Sequence, residues 1–326
     1  MELGVFTILF NDLPPEECFT KAAELGLKAV ELGCGGYSRS RHAPLRQLLD
    51  EPESLNRLRL LLEERGLRIS GLGAQGNPVH PDPEQAARYR KDILDTLRLA
   101  ELLEVDTLLL LSGCPGGGPG DRTPNWITCP WPEDYSRALA YQWNDVLLPY
   151  WRKTAELALE HGVTKLAVEP HPGFCVYNTE TLLKLKNLAH PNIGANFDPS
   201  HLFWQGIDPA AAIRAMGGCI YHVHAKDCFI NTGLQRLNGV LDAKPYREFS
   251  GRAWNFRTVG YGHDAHVWKV MISTLAETGY NGVISIEHED ALMSREEGLE
   301  KAVSLLSKII IRHKNEVKWW ELREEG

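Results

Sequence analysis

Apolar residues along this chain gather in eight short strand-like runs, near 2–9, 28–33, 67–72, 105–111, 164–169, 192–197, 219–225 and 282–287. Helix-like stretches separate them, near 15–25, 44–65, 83–104, 135–161, 179–189, 207–216 and 266–278, with an eighth at 294–314. Gly26, Gly66, Gly162 and Gly279 stand just past helix ends, where glycine takes a left-handed conformation at little cost. Asp12 and Asp208 precede prolines near helix starts, as capping residues do. Strict alternation of strand and helix predicts a parallel sheet. Eight units predict an α/β fold of the closed (β/α)8 TIM-barrel type. Such a barrel takes about 250 residues, leaving about 75 for long loops. The chain therefore reads as a single domain, 1–326, with no linker and no repeat beyond the βα unit.

Two stretches exceed the compact repeat. Residues 112–134 begin Ser-Gly-Cys-Pro-Gly-Gly-Gly-Pro-Gly and include Trp126 and Trp131. Residues 226–263 carry Arg236, Arg247, Arg252 and Arg257 before Gly260-Tyr-Gly-His-Asp264. They follow the fourth and seventh strands, which places both on the C-terminal face, where barrel enzymes keep their chemistry.

Composition narrows the partners. The apolar share of 43% supports a large core, and the net charge of −8 disfavours nucleic acid. Seven cysteines, odd in number and without a CxxC pair, indicate neither a disulfide framework nor a zinc knuckle. They suit a reducing cytoplasm. The first residues lack a basic leader, and no apolar run reaches the roughly 18 residues of a membrane span. The expected location is therefore cytoplasmic, and a homo-oligomer is compatible with the pattern.

The chemistry lies at strand ends. Leu166-Ala-Val-Glu169, Ile193-Gly-Ala-Asn-Phe-Asp198, Ile220-Tyr-His-Val-His224 and Val283-Ile-Ser-Ile-Glu287 each stop at a metal-ligand type. Gaps of 29, 26 and 63 residues separate the four ligands, against roughly 30 per βα unit. Successive parallel strands would bring Glu169, Asp198, His224 and Glu287 to one rim. Two Glu, one Asp and one His suit a divalent cation, Mn²⁺ first, with Zn²⁺, Co²⁺ or Mg²⁺ as alternatives. His222, one layer deeper, reads as a core histidine orienting a ligand. Expected substrate contacts are His201, Lys226, His263, Trp126, Trp131 and His80. For the two Trp residues, stacking on a sugar and pinning a loop are both open, and for Lys226 so is a local ion pair with Asp227. Gly71-Leu-Gly-Ala-Gln-Gly76 matches a dinucleotide fingerprint, but the prolines after it prevent a phosphate-binding helix from starting. The Gly-rich loop at 113–120 lacks the ending of a P-loop.

Val168-Glu-Pro-His-Pro-Gly173, Asn196-Phe-Asp-Pro-Ser-His201, His222-Val-His-Ala-Lys-Asp227, Gly260-Tyr-Gly-His-Asp264 and Ser285-Ile-Glu-His-Glu-Asp290 together resemble the sugar phosphate isomerase/epimerase family. These xylose-isomerase-like TIM barrels include inosose dehydratases and isomerases, ketose 3-epimerases and, more distantly, endonuclease IV. The resemblance implies metal ligands at Glu169, Asp198, His224 and Glu287 and a substrate contact at His201. The arginine that ketose epimerases place six residues after the metal histidine is absent; Ile230 stands there. That departure argues against a simple free-ketose epimerase, and the long second loop implies a larger or decorated substrate.

The expected chemistry is proton transfer next to a carbonyl, through a metal-stabilised enediolate. Glu169 and Glu287, on the fifth and eighth strands, are the expected proton carriers. The substrate is a small sugar or polyol, and the reaction an isomerisation or epimerisation. Elimination from a keto-sugar, keto-glycoside or keto-inositol is the alternative. An endonuclease-type phosphodiesterase would need more ligands on strands two to four, where only Glu31 and His80 could help. A non-catalytic sugar-binding barrel is the remaining alternative.

Overall fold

The computed structural model describes residues 1–313. Eight parallel strands close into a barrel: β1 (Glu2–Phe6), β2 (Ala29–Gly33), β3 (Arg68–Gly73), β4 (Thr107–Leu111), β5 (Lys165–Glu169), β6 (Ile193–Phe197), β7 (Ile220–Ala225) and β10 (Val283–Ile286). Neighbours follow chain order, and β10 closes on β1 with Glu2 opposite Val283. Two further strands, β8 (Asp227–Ile230) and β9 (Trp254–Arg257), pair antiparallel outside the barrel. The helices are α1 (Pro15–Glu24), α2 (Leu45–Asp50), α3 (Pro52–Glu63), α4 (Pro83–Leu103), α5 (Glu133–Tyr141), α6 (Leu148–Glu160), α7 (Thr179–Leu188), α8 (Pro199–Phe203), α9 (Pro209–Met216), α10 (Thr232–Asn238), α11 (Ala265–Glu277) and α12 (Arg295–Ile309). Among the described residues no helix is long and apolar enough to cross a membrane.

Departures from the expected elements have local causes. The stretch 44–65 breaks between α2 and α3 because Pro52 pushes Glu51 into an extended conformation. The stretch 135–161 passes through a π-helical turn, Gln142–Leu147, just before Pro149, which has no N–H to give an α-helical bond. Asp208 caps α9 by accepting the Ala210 N–H, but Asp12 caps nothing and pairs with Arg295. Residue 314, the expected end of the last helix, lies outside the described residues. The stretch 226–263 is largely ordered, holding β8, α10 and β9. Trp204, Cys228, Ala253, Trp254 and Phe256 give that excursion a small core of its own, with the Trp204 and Trp254 rings stacked at 4.5 Å.

Trp151 of α6 shows how the outer helices fix the upper rim. Its side chain is wholly buried, and its indole N–H donates to Ser112 O, one residue beyond β4, at 3.0 Å. The Ser112 hydroxyl in turn accepts the Val176 N–H in the loop after β5. Trp151→Ala should therefore lower the unfolding free energy by about 3–5 kcal/mol, the range for emptying a large buried aromatic site. Denaturant unfolding of the purified variant checks this.

Candidate active site

The strand ends meet as the spacing requires. Glu169 is the last residue of β5, and Asp198 follows β6 as the cap of α8, accepting the Ser200 N–H with Oδ1 at 2.8 Å. That bond leaves Asp198 Oδ2 facing the site. His224 lies on β7, and Glu287 follows β10, its N–H held by Ala225 O at 3.2 Å. Nδ1 of His224 lies 3.0 Å from Glu287 Oε2 and 3.4 Å from Glu169 Oε2. Ligand atoms of Glu169, Asp198 and His224 lie within 4.8 Å of one another.

A second layer fixes these groups. Nε2 of His224 lies 2.9 Å from Glu31 Oε2, which also accepts the Ser285 hydroxyl at 2.9 Å. Glu31, fully buried on β2, is thus the residue that orients His224, the role a carboxylate plays behind a metal-bound imidazole. Strand registers shift between Val30 and Glu31 and between Ala195 and Asn196, and such bulges re-aim side chains beside active sites. Asn196 Nδ2 donates to Glu169 Oε2 at 3.0 Å, so its Oδ1 faces His222 Nδ1 at 3.0 Å, and that nitrogen carries the proton. His222 therefore orients Asn196 rather than a ligand directly. Burial holds His222 well below its usual pKa and keeps it neutral.

Burial opposes ionisation of Glu169, Glu287, His224 and Lys226 too, yet their mutual attraction wins. Hydrogen bonds from His201 and His224 bring Glu169 well below the usual carboxylate range despite burial. Burial is likewise outweighed for Glu287, which Lys226 and His224 bring down to about 2. Glu31 and Glu287 raise His224 well above its ordinary value against desolvation. Lys226 is buried between Asp198 Oδ2 at 3.1 Å and Glu287 Oε2 at 3.0 Å, with Glu289 at 3.2 Å. Those carboxylates lift its pKa well above the normal lysine value despite burial. Even so, Glu31 Oε1, Asp198 Oδ2, Glu287 Oε2 and His201 Nε2 are buried without a well-formed hydrogen bond. Two carboxylates and an imidazole with ligand atoms this close fit the donor chemistry a divalent ion takes at Glu169, Asp198 and His224, beside Glu287.

The other expected contacts divide. His201 is buried, with Nε2 3.2 Å from Glu169 Oε1 and 3.4 Å from Asp198 Oδ2, and its ring sits 4.0 Å from that of His171. A cavity of about 920 Å³ opens above the site, lined by Glu169, His224, Lys226 and Glu287 together with Tyr37, His171 and Phe256. Trp126, Trp131, His80 and His263 do not line this cavity, and neither does His201. Trp126 packs edge-on against Tyr177, and Trp131 is 75% exposed on the outer loop. His80 accepts the Asp82 N–H near the start of α4, and His263 is tied to Asp227 at 2.8 Å and stacked on Phe203. Lys226 does not pair locally with Asp227, which turns away to the loop at 260–263. Glu31 and His171 are the residues that sequence reasoning underweighted. His171 lies two positions after Glu169 within the Val168–Gly173 motif, and Glu31 is an acidic residue inside an otherwise apolar strand. Both signals were readable.

A family model described as xylose isomerase-like TIM barrel matches residues 19–309. The uncharacterized protein YfiH of Bacillus subtilis (strain 168) is 41% identical over 313 residues, covering 95% of this chain and 99% of that protein. Among solved structures, a D-tagatose 3-epimerase-like protein superposes with a TM-score of 0.62 at 21% identity, covering 95% of this chain and 98% of its own. The IolI protein with a bound zinc atom gives 0.63 at 17% identity, covering 95% and 99%. At those identities the structures speak for the fold, whereas the family match spans most of the chain. This chain belongs to the xylose isomerase-like TIM-barrel family.

Proposed function

We propose that this protein is a divalent-metal-dependent isomerase or epimerase that moves a proton on the carbon next to a sugar carbonyl. One observation carries the reading: Glu169 and Glu287, from strands separated by β6 and β7, meet at the same nitrogen of His224. Glu169, Asp198, His224 and Glu287 would hold the ion, Mn²⁺ first, and the zinc atom bound to the IolI protein supports a metal at such a site. A divalent ion there offsets negative charge on adjacent substrate oxygens. The protein's own groups do the rest. Glu169 and Glu287 are both ionised at neutral pH, so either can accept a proton. Two carboxylates on different strands allow one to remove the proton and the other to return it. Asn196 fixes the rotamer of Glu169, and Lys226 steadies Glu287. His201, buried against Glu169 and Asp198, steadies those two carboxylates.

Elemental analysis of protein reconstituted with Mn²⁺ should find one ion per chain. Glu169→Gln and Glu287→Gln should each retain measurable metal yet lose turnover by roughly 10²–10⁴, the usual worth of general acid–base catalysis. In D2O the wild type should exchange a carbon-bound hydrogen of a keto-sugar. Wild-type rates in both Gln variants would remove these residues from the reaction.

The same charges predict the pH response of the metal-free fold. Glu287 is lowered from 4.5 to about 2, so its contribution is full above 4.5 and fades as pH falls towards 2. His224 is raised above 6.5, so its contribution is full below 6.5 and fades as pH rises through the raised value. Denaturation midpoints of chelator-treated protein should fall on both flanks, and Glu287→Gln should flatten the acid one.

A further inference from the structure

The cavity above the carboxylates is large, aromatic-walled and, among the described residues, without an unpaired Lys or Arg. At about 920 Å³ it stands near the top of the 300–1,000 Å³ span of pockets that enclose drug-sized ligands. A bare monosaccharide would leave much of it to water. Two aromatic walls face the space. Tyr37, from the loop after β2, packs on Phe174, from the loop after β5, with ring centres 6.5 Å apart. Tyr246, from the excursion between β8 and β9, stacks on Phe256 at 5.8 Å. Tyr37 packs on Tyr89 and Tyr246 lies under the Arg252 guanidinium, yet both line the cavity and keep 57% and 58% of their surface exposed, which leaves ring surface for a ligand.

The charge argues with equal force. The lining cations are already neutralised: Lys226 lies among Asp198, Glu287 and Glu289, and Arg295 holds Asp12 and Glu296. Barrel enzymes commonly seat a phosphate on backbone N–H groups of the loops after strands seven and eight. Here internal carboxylates occupy those donors. Asp227 Oδ2 accepts the N–H groups of Gly260, Gly262 and His263 and the indole N–H of Trp268. Gly262 sits so close to Cys228 O that a Cβ would collide with it. Asp290 accepts the Thr258 N–H and pairs with Arg257. Glu289 and Asp290 at the wall present carboxylates in place of an anion grip.

We infer that the substrate is an uncharged sugar or polyol ring carrying an apolar or aromatic substituent, with no phosphate. The ring lies over Glu169 and Glu287, and the substituent lies between the Tyr37–Phe174 and Tyr246–Phe256 walls. This rests on the proposed reaction only for where the reacting carbon lies.

Calorimetric titration of the Mn²⁺-treated full chain with D-glucose, D-glucose 6-phosphate and phenyl β-D-glucopyranoside tests the assignment. The phenyl glucoside should bind roughly tenfold more tightly than glucose, a gain of the size one aromatic contact supplies. Glucose 6-phosphate should bind no more tightly than glucose. In the double variant Tyr37→Ala/Tyr246→Ala the ratio of phenyl glucoside to glucose affinity should fall towards one. Tighter binding of the phosphate overturns the inference. So does the absence of a phenyl advantage, including no binding of the phenyl glucoside, or an advantage that survives loss of both tyrosines. Solvent exchange into a keto-sugar is read separately. A phenyl advantage without exchange sinks the reaction and keeps the ligand class, and exchange with preferred phosphate binding does the reverse.

Discussion

Four carboxylates, Glu31, Glu169, Asp198 and Glu287, are brought into the buried rim of one barrel, and the rest of the site is arranged around that repulsion. Like charges held this close in a poorly solvated interior stay ionised only if positive charge stands among them. Lys226 supplies it on one side, between Asp198 and Glu287. His224 supplies it on the other, between Glu31 and the pair Glu169 and Glu287.

A barrel is well suited to hold such a cluster. Each ligand leaves the end of a different strand, and the ladder beneath fixes its position against the repulsion. The supports are inward-pointing side chains one layer down: Asn196 on Glu169, His222 on Asn196, and Ser285 on Glu31. Because these partners are themselves buried, none can swing into water to relieve the charge. The electrostatic cost is therefore borne by the packed strands and helices, of which Trp151 beneath Ser112 is one example.

The long excursion after β7 serves this centre in two ways. Its start delivers Lys226 to the carboxylates and Asp227 to the backbone donors of residues 260–263. Its far side carries Tyr246 and Phe256 over the cavity, held by a small core around Trp254. One element thus sets charge at the floor and an apolar surface at the mouth.

Sequence alone determined the parts governed by local pattern and regular repeat. Eight apolar runs alternating with helical stretches indicated the barrel, and a parallel barrel brings the strand-end residues Glu169, Asp198, His224 and Glu287 to one rim whatever the loop lengths between them. Contacts between residues remote in sequence were decided only by the tertiary structure. Glu31 reaches His224 across 193 positions, and no spacing rule links the second strand to the seventh. Register shifts opposite Glu31 and Asn196, where Ser70 of β3 and Tyr221 of β7 are left out of the pairing, are something alternation cannot foresee. Loop residues were the least legible. Trp126, Trp131, His80 and His263 have the chemistry of sugar contacts, but where a loop side chain points depends on the neighbours it packs against. Their partners here are Tyr177 for Trp126, the Asp82 N–H for His80, Asp227 and Phe203 for His263, and solvent for Trp131.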